Sequence, residues 1–284
     1  MSLTRTFEDN EVGPEVERIF ADIRASFDLP FVPTPFRVLA GIPEYLRLMW
    51  HDLGHVAASR EFRSAAVALQ EFVHSEAITG GWRFADQERV LAGQKISSED
   101  TLVLSGVVGV FNRALPALTL FLRLMQLGYS GGTAGRVTPG KLSPALSRLI
   151  TLNVPNEREA SLRVWLLYGD IKRTTGEGHV LDLFRVLSPF PGYLASAWLD
   201  AKRLFKDQSF QDAREEVARR AAACVTGIPV HDHRKLARHI SAEQWSEIEE
   251  TVDGCVRLLP LYALLTATWR RSFAIEQTVI RAAS

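Results

Sequence analysis

Apolar residues recur three and four positions apart through most of the chain, and the two-residue alternation of half-buried strands is absent. Glu15, Ile19, Ile23 and Phe27 space one helix, and a further run opens near Pro35. Glu44-Tyr45-Leu46 starts another behind Pro43, where proline suits a first helical turn. Residues 62–78 carry alanines and apolar side chains at helical spacing, and Ser98 and Ser241, each followed by acidic residues, read as N-caps. Residues 103–122 (VLSGVVGVFNRALPALTLFL) are apolar enough to suggest a membrane span, but Asn112, Arg113 and Pro116 stand at their centre. A central arginine alone costs roughly 2.5–3.5 kcal/mol on insertion. The pattern therefore predicts two buried helices meeting near residues 112–116, and no membrane partner.

The pattern also repeats. Residues 22–50 (DIRASFDLPFVPTPFRVLAGIPEYLRLMW) align without a gap on residues 170–198 (DIKRTTGEGHVLDLFRVLSPFPGYLASAW), 148 positions on, with 11 of 29 identities. Chance gives roughly two at ordinary residue frequencies. Residues 97–120 echo residues 241–265, and Arg113-Ala114-Leu115-Pro116 matches Arg257-Leu258-Leu259-Pro260 at an offset of 144. The expected fold is all-α, two pseudo-symmetric helical repeats packed around a central cleft. Residues 1–127 form the first repeat, residues 128–145 a glycine- and proline-rich linker, and residues 146–284 the second repeat.

Composition narrows the function. The 284 residues are 46% apolar and 23% charged, and 33 basic residues balance 33 acidic ones. No basic excess exists to neutralise phosphates, so nucleic acid is not an expected partner. Cys224 and Cys255 stand 31 positions apart, which excludes a disulfide scaffold, and the polar N-terminus lacks the apolar core of a signal peptide, so a cytoplasmic protein is expected.

Identical positions in two copies are framework. Positions where the copies differ in chemistry are where one cleft can acquire a directional task. The loop before the shared Phe-Arg-Val-Leu differs most: residues 27–35 are apolar with three prolines, whereas residues 175–183 carry Glu177, His179 and Asp182. Phe31 falls opposite His179, and Thr34 opposite Asp182. An apolar wall facing a carboxylate and an imidazole is what a general base beside an apolar pocket requires. Spacing alone favours Asp182 as the cap of the helix that follows it over a general base. Arg37 with Arg185, and Arg113 with Arg257, recur in both copies, as arginines that satisfy helix-end carbonyls would; Arg113 can also grip a substrate carboxylate with its two-pronged guanidinium. Asp22 and Asp170 recur as partners for such arginines. His51 and His55, four apart, can reach one metal or stand as solvated residues on a helix flank, and His231, His233 and His239 read as a polar surface turn. No metal and no cofactor is expected.

The segment ADIRASFDLPFVPTPFRVLAGIPEYLRLMW, with its D-I-R, Pro-aromatic-Val, R-V-L-A and Pro-x-Tyr-Leu before a Trp, resembles the first repeat of the group I DL-2-haloacid dehalogenases, and Phe111-Asn112 with Pro116 resembles its later part. The resemblance implies a dimeric, cofactor-free α-helical hydrolase of small 2-halocarboxylic acids. It implies an Asp of the second repeat that activates water for direct attack on C2, with inversion, and an Asn of the first repeat that positions that water. Carried onto this chain, Asp182 is the base, His179 its assistant and Asn112 the water-positioning group. Phe31 and Thr34 shape the pocket with Arg113. Leu183 occupies the aligned place of the family base, and Leu115 that of the family Asn. Those two leucines raise the alternative of a protein with this fold that lacks dehalogenase activity and binds another small apolar carboxylic acid.

Overall fold

The predicted periods become helices in the computed structural model, which describes residues 5–133, 135–140 and 152–273. They are α1 (Pro14–Phe27), α2 (Thr34–Leu39), α3 (Pro43–Ala57), α4 (Arg60–Thr79), α5 (Gln87–Gly93), α6 (Ser98–Tyr129), α7 (Leu162–Thr175), α8 (Asp182–Val186), α9 (Pro191–Phe205), α10 (Gln208–Val225) and α11 (Ala242–Arg270). No strand forms among the described residues; the β pairing present is one antiparallel bridge between Thr133 and Val230. The fold is all-α.

Helix bounds follow the sequence repeat. α1 and α7 begin 148 residues apart, as do α3 and α9, and α4 and α10. Pro43 and Pro191 both occupy the first turn of their helices. α1 ends at Asp28 and α7 at Gly176, both in the left-handed region, at φ 50° and 75°. Glycine carries that conformation without strain, and Asp is among the few residues that tolerate it. Ser241 caps α11 as predicted: its Oγ accepts the Gln244 N–H at 3.1 Å while Gln244 Oε1 accepts the Ser241 N–H at 3.1 Å. The cap of α6 lies one residue earlier than predicted, at Ser97, whose Oγ accepts the Asp100 N–H at 3.0 Å.

The predicted break at residues 112–116 does not occur. α6 runs unbroken through Pro116, and α11 through Pro260. An interior proline costs about 3 kcal/mol and removes the N–H that would bond the carbonyl four residues earlier. Here Val107, Val108, Val110, Phe111, Ala114, Leu115, Leu118, Leu120 and Phe121 are all buried around the break. Burial of a large apolar side chain contributes roughly 1.5–3 kcal/mol, so a few of them offset the proline. By length and composition α6 could cross a membrane, but 56% of its most apolar window is buried against the protein.

The chain divides into two compact units, neither a continuous stretch. Of the described residues, those within 1–69, 116–152 and 218–259 make one, and those within 70–115, 153–217 and 260–284 the other. The cuts through α6 and α11 fall at Pro116 and Pro260. In the first unit α1 and α2 pack on α3, joined by the 3-10 turn His233–His239. Its core holds Phe27, Phe36, Trp50 and Phe121, with Phe36 and Trp50 edge to face at 6.2 Å. In the second unit α7 and α5 pack on α9, and Phe184 and Trp198 make the same edge-to-face pair at 5.5 Å. Phe36 with Phe184 and Trp50 with Trp198 are identities of the repeat. So are Ile23 with Ile171, Leu39 with Leu187 and Leu46 with Leu194, all buried, which is why these positions carry the self-similarity.

Of the predicted linker, residues 134 and 141–145 lie outside the described residues. Its described part is tied down within the first unit. Thr133 and Val230 exchange main-chain hydrogen bonds at 2.7 and 3.2 Å, the Thr138 N–H donates to Glu61 Oε2 at 3.0 Å, and the Arg60 N–H to the Thr138 carbonyl at 3.1 Å.

The polar turn holds a correction. His231 is exposed, but His233 is fully buried beneath Gly128 and Tyr129, with neither ring nitrogen hydrogen-bonded among the described residues. A histidine-rich stretch reads as solvated because the sequence does not show which residue of a turn points inward. Burial pushes the His233 imidazole down from 6.5 to about 4, so it is neutral in the folded protein. The unfolded chain takes up that proton first. Stability therefore falls as pH drops from about 6.5 to about 4, by on the order of 3 kcal/mol, and His233→Leu flattens this dependence in denaturant titrations.

Candidate functional site

The candidate residues divide between the units. Phe31 and Thr34 belong to the first, and Asn112, Arg113, Leu115, His179, Asp182 and Leu183 to the second. Leu115, Asn112, Asp182, Leu183, Phe31 and Thr34 are buried, whereas Arg113 and His179 are half-buried.

Asp182 is not the cap of α8: Leu181 is, and Asp182 is the first helical residue. Its carboxylate is not in solvent. The residue is 2% exposed, and Oδ1 accepts a hydrogen bond from Arg185 Nη1 at 3.2 Å, one helical turn on. The rest of the guanidinium reaches the chain before α7: Nε and Nη2 both donate to the Pro155 carbonyl, at 3.0 and 2.7 Å. A buried charge needs such compensation, because desolvating it alone costs several kcal/mol.

The equivalent arginine of the first unit makes the same contact. Arg37 Nε donates to the Phe7 carbonyl at 3.3 Å, and Phe7 and Pro155 stand 148 positions apart. Arg37 pairs with Glu8, and Thr34 takes the place of Asp182 at the start of α2. The recurring arginine is thus structural, and the acid beside it in α8 is particular to the second copy. Asp170 does not pair with a recurring arginine; it accepts from Lys202 Nζ at 2.8 Å and from the Trp198 indole at 2.7 Å, because α9 lies against α7.

The loop ahead of Asp182 is anchored at Val180, whose N–H donates to Glu157 Oε1 at 2.8 Å, and Glu157 also pairs with Lys172. Tyr168, buried on α7, meets Ser188 and the field of Arg185; burial pushes its hydroxyl up against both. Phe20 holds the matching position of the first copy, so the difference was visible in the sequence.

On α6, Asn112 is 1% exposed, and its amide lies against His74 of α4. Nδ2 is 2.8 Å and Oδ1 3.2 Å from His74 Nε2. His74 escaped the sequence reading because 38 residues separate the pair, but the repeat carried a signal: His74 aligns with Ala222 and Asn112 with Val256.

The histidines offered as metal ligands lie in the first unit. His51 is exposed, 3.3 Å from Asp52 Oδ1, and His231 Nδ1 lies 3.6 Å from the same oxygen. His55 and His231 border a surface cavity with Asp52 and Arg136. Among the described residues, no three or more histidine, cysteine or acidic side chains are placed to hold a metal ion together.

Comparison with known proteins places this architecture. A protein described as "(R)-2-haloacid dehalogenase" from Pseudomonas putida is 20% identical over 241 residues, covering 80% of this chain and 77% of that one. The solved structure described as "The complex structure of D-2-haloacid dehalogenase mutant with D-2-CPA" superposes with a TM-score of 0.84 at 18% identity, over 95% of this chain and 96% of the other. A second, "The complex structure of D-2-haloacid dehalogenase with L-LA", gives 0.84 at 19% identity over 96% and 97%. At such identity these structures speak for the fold. The family model described as "Halocarboxylic acid dehydrogenase DehI" matches residues 30–182, more than half of the 284. From the loop that opens with Phe31 to the acid that begins α8, the chain belongs to the DehI halocarboxylic acid family.

Proposed function

We propose that this protein is a cofactor-independent hydrolase of small 2-halocarboxylic acids. The observation that carries the reading is Asp182: a buried carboxylate, charge-compensated by Arg185, present in one copy of the repeat only, within the segment matched by the family model. Leu183, next to it in the chain, and Leu115 on α6 are both buried and offer apolar surface suited to an alkyl halide. In the proposed reaction Asp182 takes a proton from water as the water oxygen bonds C2. The carbon–halogen bond breaks with inversion, halide leaves with the electron pair, and the proton rests on Asp182 until solvent removes it. Asn112 holds the water, His179 assists the acid, and Arg113 meets the substrate carboxylate. Phe31 and Thr34 keep the wall role that the resemblance gives them.

The test is release of chloride or bromide from each enantiomer of 2-chloro- and 2-bromopropionate by the purified protein. Steady turnover of at least one enantiomer is expected, and no release from either overturns the reading.

A homodimer and a cytoplasmic location belong to the same proposal. Leu162, Trp165 and Leu166 lie one turn apart on α7 and are 74%, 60% and 59% exposed. The matching positions of the first copy are Pro14, Glu17 and Arg18, which suit water. An apolar face on one copy only fits a second copy of the chain. Trp165→Glu is expected to convert a sedimenting dimer into a monomer; a wild-type monomer at micromolar concentration contradicts this.

A further inference from the structure

The His74–Asn112 pair contains an asymmetry. A single ring nitrogen either accepts from the Asn112 amide N–H or donates to the amide oxygen; it cannot do both. The nearer atom is Nδ2, at 2.8 Å, against 3.2 Å for Oδ1. That geometry fits the amide N–H donating to a bare Nε2, an arrangement that requires the imidazole proton on Nδ1. In that arrangement Asn112 Oδ1, on a side chain 1% exposed, receives no hydrogen from His74. A buried acceptor left open costs about 1–3 kcal/mol unless a bound molecule fills it. Pro116 marks the same turn, since it lacks the N–H that would have bonded the Asn112 carbonyl. Neither member of the pair exists in the second copy, where Ala222 and Val256 stand.

We infer that His74 is a positioning residue: by accepting the Asn112 N–H it fixes the amide and leaves Oδ1 available as an acceptor for one O–H of the attacking water. The inference rests on the proposed reading of Asn112 as the group that holds that water. With one hydrogen held by Asn112 and the other by the base, the water's lone pair is aimed at C2. If the amide flipped, Nδ2–H would face the water and compete for that lone pair. His74 exchanges no proton with substrate; it acts only through Asn112.

Turnover and tautomer test this together. His74→Phe keeps ring volume and removes the acceptor; His74→Gln restores an acceptor for Nδ2. We expect Asn112→Leu and His74→Phe each to lower kcat about tenfold to a hundredfold, with KM for the haloacid within about twofold, because water and not the acid is misplaced. His74→Gln recovers most of the loss, and the double variant Asn112→Leu/His74→Phe is no slower than Asn112→Leu alone. If Asn112→Leu costs nothing, the reading of Asn112 fails, and this inference with it. If Asn112→Leu is slow and His74→Phe is not, only the inference fails. Nitrogen-15 spectra of the histidine rings decide independently of activity. They should show His74 protonated at Nδ1 in the wild type and no longer held so in Asn112→Leu; a wild-type ring protonated at Nε2 overturns the proposal.

Discussion

Asp182→Asn is expected to lower halide release from 2-halopropionate by about 10²–10⁴, the usual loss when a positioned proton acceptor is removed. The substitution removes the charge and keeps the hydrogen-bonding frame. Asparagine keeps an oxygen where Asp182 Oδ1 receives the Arg185 hydrogen bond, and Arg185 keeps both bonds to the Pro155 carbonyl. The buried Arg185 loses its counter-charge, so the variant should be less stable than the wild type, but those bonds should keep it folded at assay temperature, with an unchanged helical circular-dichroism spectrum. What it loses is the charge that draws a proton from water. Clear turnover surviving in Asp182→Asn would remove Asp182 from the reaction and leave it as the partner of a structural arginine.

The largest stability effect is expected at that arginine. Arg185→Met strands the Asp182 carboxylate, 2% exposed, without its cation, and takes two hydrogen bonds from the Pro155 carbonyl. Breaking a buried pair from one side costs about 3–5 kcal/mol. The matched substitution in the first copy should cost less. Arg37 pairs with Glu8, which is half-exposed and can turn to water, and its hydrogen bond to the Phe7 carbonyl, from a charged donor, is worth about 1.5–3 kcal/mol. In denaturant titrations Arg185→Met should fall well below Arg37→Met. The double variant Asp182→Leu/Arg185→Met should recover much of the loss, since an apolar pair of similar volume replaces a broken ion pair. Equal losses at the two arginines would contradict the burial argument.

The framework was legible because a duplicated chain prints its core twice. Ile23, Phe36, Leu39, Leu46 and Trp50 and their counterparts could be read as framework before any coordinates, and all of them are buried. Misreadings came where burial overrides a local signal. Pro116 reads as a break by propensity, yet α6 passes through it because apolar side chains surround it on both sides. His233 reads as polar surface, yet it points inward. Ser97 displaced Ser98 as cap because both can serve and only one carries the geometry.

The candidate site was less legible. The i,i+3 spacing of Asp182 and Arg185 was in plain view, but a cap and a salt bridge share that spacing, and only the observed dihedrals separate them. His74 and Asn112 meet across 38 residues, a distance that no local pattern spans, although their non-equivalence to Ala222 and Val256 marked both.

A single turnover in water enriched in oxygen-18, with enzyme in excess over a reactive 2-halopropionate, asks most directly whether a carboxylate-activated water attacks C2. Label is expected in the hydroxyl of the 2-hydroxy acid from the first turnover, with inverted configuration. An unlabelled first product would mean that an oxygen of the protein, not water, had bonded the carbon.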